Sequence, residues 1–505
     1  MAEPLPKKQL AAKNREESMD NQQNYLNVRK ILVFGLLAGI LSAIWLTNRQ
    51  NQSLNLTQDN SKNLIERWRE KNQAANSQIE QRFSLGEKIL IDADDNPDKE
   101  LATAKFAAER FHEARVGFAN SLKTNPNDPE ALIYLNNSLA ATKPNPIKIG
   151  VSVPIGGSLN VSKEILRGIA QAQHEINKQG GIEQNGFKRM IQIQIANDDN
   201  QPEIAQKIAA HFVEDEEIMA VVGHNSSSAS IAAAPIYQQG KLVMVSPTSV
   251  ARELSQAGDY IFRTTPSTRV LAETLARYTV DNIRREKITI CADSTSAAST
   301  SFKDEFALSV FEFGGEVSDT ECDFGSENFN PDEIPGKAIA NGSEAILLIP
   351  SVDRINQALE VSRANQKRLI LLGNHSMYTY ETLKIGNSDL NGMVIPTVWH
   401  PNSTANSSFN QHARELWGME GSWRTATAYD AIEAITIGLS SANTRQQLQQ
   451  TLANSGFVAS GVLGEISFQP SGDRQVGGVL VKIQPGNSSG TGYDFKLLDT
   501  VSANN

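Results

Sequence analysis

The sequence predicts an α/β protein built on parallel sheets, preceded by a transmembrane helix and a small helical region. Two observations carry this. From residue 147 onward, short apolar strands alternate with helical patterns, the signature of crossover helices joining parallel strands. Far upstream, residues 31–47 form a charge-free apolar run that is unlike anything else in the chain. At 505 residues the chain is too long for one ordinary domain, so two to four compact units are expected.

The N-terminal segments come first. Residues 31–47 are just long enough to span a bilayer as a helix. Arg29 and Lys30 flank the run on one side, and Lys7, Lys8, Lys13 and Arg15 lie further upstream. The other side has only Arg49 before a Gln/Asn-rich stretch. This bias places residues 1–30 in the cytoplasm and the main domain outside, anchored in the cell (inner) membrane by a single pass. No small-x-small site follows the run and no cysteine is near to carry a lipid, so an uncleaved signal anchor is expected over a cleaved leader. Residues 48–82 read as a polar juxtamembrane segment. In residues 83–142, Phe111, Ala114, Phe118, Leu122 and Pro126 fall at spacings that resemble tetratricopeptide repeats. A solenoid normally needs about three repeats, and fewer than two are visible, so a spacer helix pair packed on the main domain is expected. Lys143-Pro-Asn-Pro146 is the linker.

The main domain spans residues 147–500. Its first strand, Ile147–Val153, turns through Pro154-Ile-Gly-Gly-Ser158 into a helical pattern that ends at Gln179-Gly-Gly-Ile182. A strand closes on Asp198-Asp199. After another helix, Met219-Ala-Val-Val-Gly223 runs straight into His224-Asn-Ser-Ser-Ser-Ala229, and a further strand delivers Ser246-Pro-Thr-Ser249. Ligands of open parallel sheets sit beyond the carboxyl ends of the strands, where these hydroxyl-rich turns fall. After Arg263 the alternation resumes, with strands near 288–291, 315–317, 345–349, 369–372 and 393–395.

Composition excludes several classes. A net charge of −10 and the absence of a basic patch with interleaved aromatics argue against nucleic acid. There is no glycine-rich phosphate motif, no Gly-x-Ser-x-Gly elbow and no His-Glu-x-x-His pair among the seven histidines. No catalytic residue, metal site or cofactor is expected. Cys291 and Cys322 are too few for a disulfide scaffold; they either form one bridge between neighbouring strands or are two partly buried small side chains.

The order of turns resembles the leucine/isoleucine/valine-binding family of type I periplasmic binding proteins, which are extracytoplasmic solute receptors. The resemblance rests on the Pro-Ile-Gly-Gly turn, Glu175-Ile-Asn-Lys-Gln-Gly-Gly-Ile182, Asp198-Asp199 with Pro202, and Gly223 with its following serines. Ser246-Pro247, Phe262-Arg263 and Ala428-Tyr-Asp-Ala431 continue it. It covers about 147–490 and implies two Rossmann-like lobes, lobe one at about 147–265 and 400–455, lobe two at about 266–398 and 457–500. Such lobes close on a ligand by bending at short crossings. It also implies a site in the cleft formed by Ser226, Ser227, Ser228, Ser246, Thr248 and Ser249 of lobe one with Asp293, Ser351, His375 and Tyr378 of lobe two. By alignment Ser227 takes a ligand carboxylate, while Thr248 and Ser249 help hold a zwitterion. The helix opened by the serine turn adds an anion-friendly N-terminus, although serine at that position is also an ordinary helix cap.

This chain departs from the family pattern in several places. Val250 stands where a threonine usually helps hold the ligand's ammonium. Val161 and Ala297 stand near the usual aromatic walls, and His375 stands near the usual acid. Histidine accepts an ammonium only as the neutral ring, or else donates to an anion, and Tyr378 is the candidate for a displaced aromatic wall. The resemblance implies a membrane-anchored receptor for an amino acid-like small molecule, serving an ABC permease or a signalling partner. The alternative is a scaffold or regulatory protein whose binding fold holds no ligand and acts on membrane or cell-wall partners.

Overall fold

The structure, a computed structural model, describes residues 78–403 and 407–498. The expected anchor at 31–47, its cytoplasmic flank and most of the polar juxtamembrane segment lie outside these residues. Among the described residues no helix is long and apolar enough to cross a membrane.

Two sheets organise the main domain. In the first, Ile191–Asn197, Ile147–Val153, Ile218–Val222, Val243–Ser246 and Ile261–Arg263 run parallel in that spatial order. In the second, Glu316–Val317, Lys287–Ala292, Ala345–Ile349, Ile370–Gly373 and Val394–Thr397 repeat the same order, and two antiparallel strands, Val479–Pro485 and Tyr493–Leu497, extend it. These are the two expected lobes. Strands such as Ala345-Ile-Leu-Leu-Ile349 are buried along their whole length, as parallel strands covered on both faces by helices must be. In each sheet the first strand lies between the second and third. The strand order therefore reverses there, and a crevice opens beyond the strand ends.

Helix Leu159–Lys178 packs lengthwise on helix Trp423–Ser440. Gly168 permits the close approach, because a Cβ there would collide with the Thr425 carbonyl. The chain crosses between lobes near 264–267 and again after Thr397. The third crossing falls later than the boundary expected at about 455–457. Phe457, Ala459, Ile466 and Phe468 are buried in the core of lobe one, and the chain rejoins the second sheet only at Val479. Asp430 explains the shift: its carboxylate accepts the backbone N–H of Val462 at 2.6 Å and pairs with buried Arg474 at 2.6 Å, pinning the Ala459–Ile466 hairpin to lobe one.

The region expected to be a spacer helix pair packed on the main domain has three helices and does pack on lobe one. Phe83–Ser84 adds an antiparallel edge strand to its sheet. Three helices follow, Pro97–Ala107, Phe111–Thr124 and Pro129–Ala141, each packed on the next. Asn137 donates to the carbonyls of Leu85 and Ile193, each at 2.7 Å, and accepts the Ile193 N–H at 2.8 Å. Phe118 and Tyr134 join the lobe-one core. Lys99, fully buried, sits between Asp128 at 2.8 Å and Glu130 at 2.7 Å. Burial pushes the Asp128 carboxyl up to about 6 against the pull of Lys99, while the two carboxylates hold the Lys99 ammonium protonated.

Lobe two has a covalent tie instead. Cys291 and Cys322 form a disulfide that fastens the end of Lys287–Ala292 to the segment after Glu316–Val317. The open question of the sequence is thus settled as a bridge.

Candidate functional site

The strand-end turns of both lobes face one cavity. From lobe one, Gly223 ends its strand with φ 144°, a backbone conformation that favours glycine, and the chain turns into the Asn225–Ser228 loop. Ser226 caps the helix Ser227–Gln239 by accepting the Ala229 N–H at 3.2 Å. Ser227, 3% exposed, accepts the Ala251 N–H at 3.2 Å, which leaves its own hydroxyl proton free to donate. Asn225 is braced by Asn200, whose side-chain oxygen accepts its amide at 3.1 Å.

Behind this turn the second hydroxyl loop acts as a prop. Ser246 donates to the His224 carbonyl at 2.9 Å and accepts the Ser249 N–H at 3.1 Å. Thr248 donates to the Asn225 carbonyl at 2.9 Å. Ser249, 1% exposed, lies 2.8 Å from the Ser230 hydroxyl and donates to the His224 carbonyl at 3.1 Å. His224 itself is buried, with Nδ1 2.6 Å from Asp198 and Nε2 3.1 Å from the Tyr237 hydroxyl. Asp198 also accepts the Ser152 hydroxyl at 2.8 Å, and its carboxyl stays below the usual range because these hydrogen bonds outweigh burial. The aspartate pair is therefore divided. Asp198 holds the loop, while Asp199 pairs with Arg82 at 2.7 Å and accepts the Gly156 N–H at 2.9 Å.

The cavity encloses about 60 Å³ and is lined by Ser226, Ser227, Thr248, Asn200 and Asn225 of lobe one. Ser296, Ala298, Ser351, Val352, Asp353, His375 and Ser376 of lobe two line the other side, with Trp423 and Arg424 at the base. Of the expected site residues, five line it: Ser226, Ser227, Thr248, Ser351 and His375.

The other five do not line it. Ser246 and Ser249 are spent on carbonyls behind the turn. Ser228 faces the opposite lobe, where its hydroxyl accepts the Ala297 N–H at 3.3 Å. Asp293 turns back on its own loop and accepts the Thr295 N–H and hydroxyl at 3.0 and 2.6 Å. Tyr378 is no wall: its ring packs on Phe495 with centroids 4.1 Å apart, and only its backbone carbonyl points inward, accepting from Arg424 at 2.9 Å.

Burial and the nearby Arg424 cation push the His375 imidazolium down to about 3, so the ring is neutral at physiological pH. It lies against the ring of Trp423, at 5.7 Å between centroids. Nδ1 of His375 and Nε1 of Trp423 are both buried without a hydrogen-bond partner among the described residues. Such buried polar atoms cost free energy until something pairs with them. Arg424, 2% exposed, stacks on Trp423 at 4.4 Å and bridges the lobes, donating to Glu164 at 3.1 Å as well as to Tyr378.

Arg424, Trp423 and Asp353 escaped the reading of the sequence. A Trp-Arg pair at the start of the helix Trp423–Ser440 reads as an ordinary helix entry, and nothing local marks it as the floor of a site whose other residues lie between 47 and 223 positions upstream of Trp423. Asp353 follows the expected Ser351 by two residues at the rim. Its carboxyl is raised by burial and by the neighbouring Asp293 charge.

Interlobe bonds surround the cavity. The Arg252 N–H donates to the Ser301 hydroxyl at 3.1 Å, its guanidinium meets Asp304 at 3.2 Å, and Asn160 bonds to Glu381. The lobes are drawn together over this cavity, an arrangement suited to binding and orienting a small solute.

Comparison with known proteins gives the same architecture. A family model described as "Periplasmic binding protein" matches residues 146–483. A Leu/Ile/Val-binding protein of Rhizobium johnstonii is 23% identical over 65% of this chain and 88% of its own. A Leu/Ile/Val-binding protein of Escherichia coli is 31% identical, over 32% of this chain and 42% of its own. An amino acid binding protein of Pseudomonas aeruginosa is 33% identical, but this chain spans only 29% of its length. Among solved structures, an ABC transporter substrate-binding protein of Desulfitobacterium hafniense in complex with Leu superposes with a TM-score of 0.59, covering 69% of this chain and 99% of its own at 24% identity. These relatives are binding proteins and not enzymes. The family model begins at residue 146, after the helices at 97–141.

Proposed function

Because this chain belongs to the periplasmic binding protein family, we propose that it is an extracytoplasmic receptor that holds an amino acid-like carboxylate between its lobes for an ABC permease. The N-terminal run at 31–47 would anchor it to the membrane, leaving the described domain outside. The single observation behind the ligand reading is the convergence of both switch points on one cavity with unspent hydrogen-bonding capacity. Ser227 keeps a free hydroxyl proton beside a helix N-terminus, which suits a carboxylate. His375 of lobe two and Trp423, which also line the cavity, hold buried polar atoms with no partner among the described residues. The Cys291–Cys322 disulfide agrees with an oxidising compartment.

A thermal-shift screen of the detergent-purified full chain against amino acids and small carboxylates tests this. A ligand at about 100 times its Kd adds about 2.7 kcal/mol of stability, so at least one compound should raise Tm by several degrees. Ser227→Ala should remove that shift. A panel in which no compound stabilises either protein refutes the receptor reading.

A further inference from the structure

We infer that the two lobes hold each other shut without a ligand, and that Arg424 is the latch. It sits at the base of the interlobe cavity, fixed to lobe one by Glu164 and reaching across to the Tyr378 carbonyl of lobe two. The latch belongs to the ligand-free molecule, so it does not depend on which solute binds.

Four direct links cross between the lobes. The Ser228 hydroxyl of lobe one accepts the Ala297 N–H of lobe two at 3.3 Å, where helices Ser227–Gln239 and Ala297–Glu312 meet. Arg252 donates its backbone N–H to the Ser301 hydroxyl at 3.1 Å and its guanidinium to Asp304 at 3.2 Å. Asn160 donates to Glu381 through exposed side chains. At the base of the cavity, Nη1 of Arg424 donates to the Tyr378 carbonyl at 2.9 Å.

These links are not equal. The Arg252–Asp304 pair is half-exposed on both sides, and ion pairs open to solvent contribute little. Asn160 and Glu381 also compete with water. Arg424 is buried instead, with its guanidinium stacked on Trp423 at 4.4 Å. Trp423 itself belongs to the apolar cluster that contains Phe302 and Phe306 of lobe two, and its ring meets His375. The start of a lobe-one helix is thus wedged into lobe two, and parting the lobes would return that apolar surface to water.

Glu164 decides whether the wedge holds. It lies 3.1 Å from the same Nη1 that crosses to Tyr378, and it is the only carboxylate paired with Arg424 among the described residues. A buried cation that loses its counter-charge is strongly destabilised. That cost falls on the closed form alone, because parting the lobes lets water reach the guanidinium. With Glu164 in place the closed form keeps a paired charge; without it the balance tips towards opening. A receptor shut in this way takes up solute only from its open fraction, and its apparent affinity falls in proportion.

Double electron–electron resonance on the full chain in detergent tests the latch. Spin labels go on Lys207→Cys of lobe one and Glu360→Cys of lobe two, both exposed positions. The native cysteines are tied up in their disulfide. The protein is dialysed until mass spectrometry finds no bound small molecule. One narrow separation, that of the closed lobes in this structure, is then expected. Glu164→Gln should place at least a tenth of the molecules at a second, longer separation, and Arg424→Gln should do the same. Glu381→Ala, which removes only an exposed link, should keep the single separation. Far-UV circular dichroism shows that each variant is folded, and if Arg424→Gln is not, Glu164→Gln decides. A ligand-free chain already at the longer separation overturns the latch, as does Glu164→Gln with an unchanged distribution. Opening by Glu381→Ala as large as by Glu164→Gln also overturns it. None of these outcomes bears on whether a solute binds, so the receptor reading is tested separately.

Discussion

In lobe one the cavity wall is one turn, Asn225–Ser227, with Thr248 beside it and Ser246 and Ser249 propping it from behind; in lobe two it is a set of side chains, Ser296, Asp353, His375 and Ser376, carried by three separate loops. The two sheets share a strand order, so topology does not explain the contrast. What differs is the task. A carboxylate is common to a whole class of ligands and can be met by a helix terminus and hydroxyls, whose placement depends on the main chain. The rest of a ligand varies, and side chains on loops can change without disturbing the sheet. Lobe one is also the more heavily fastened half. An edge strand and three helices are built onto it, whereas lobe two relies on one disulfide.

The largest expected effect tests that fastening. Lys99→Ala removes the only cation between two buried carboxylates, Asp128 and Glu130. Breaking a buried ion network by removing one partner costs about 3–5 kcal/mol. If residues 97–141 are part of the lobe-one fold, chemical denaturation should show a single transition at lower midpoint. An early transition that leaves the main unfolding midpoint unmoved would mean that the helices are a separable appendage, and the contrast between the lobes would weaken.

The next effect falls on lobe two. Reducing Cys291–Cys322, or replacing both residues with alanine, opens a loop of sequence separation 31. Chain-entropy arguments put the loss at about 2–4 kcal/mol. Thermal unfolding with and without reductant should show it, and an unmoved midpoint would mean that lobe two does not depend on its bridge.

How much of this was legible in the sequence follows the same division. The strands were readable because buried parallel strands are continuous apolar runs: Ile147–Val153 and Ala345–Ile349 appear as expected. The serine turn was only partly readable, because serine at a strand-to-helix junction is also an ordinary cap, as Ser226 is here; Ser226 and Ser227 do line the cavity. Ser246 and Ser249 were misplaced, because a serine that props a turn and a serine that faces a ligand look alike in sequence. Tyr378 and Asp293 failed for a related reason: loop position fixes where a residue lies but not where its side chain points. Arg424 and Trp423 come to the site only by long-range packing of helix Trp423–Ser440 against Leu159–Lys178. The third crossing was misjudged because it depends on the Asp430–Arg474 pair, whose members are 44 residues apart.

The smallest effect separates prop from face within lobe one. Ser249→Ala removes a hydroxyl that serves the His224 carbonyl and the Ser230 hydroxyl in a fully buried setting. Ser246 and Ser230 still donate to that carbonyl, so the loss is that of a net buried hydrogen bond, about 0.5–1.5 kcal/mol. Ser227→Ala removes an acceptor for one N–H at 3.2 Å, beside a cavity where solvent can substitute, so it should cost less than about 1 kcal/mol. Urea denaturation of the two variants measures both. If Ser227→Ala proves the more destabilising, then the first turn is the structural element and the second the recognition element. The assignment of the carboxylate to Ser227 would then rest on its hydroxyl proton alone, which accepting the Ala251 N–H leaves free.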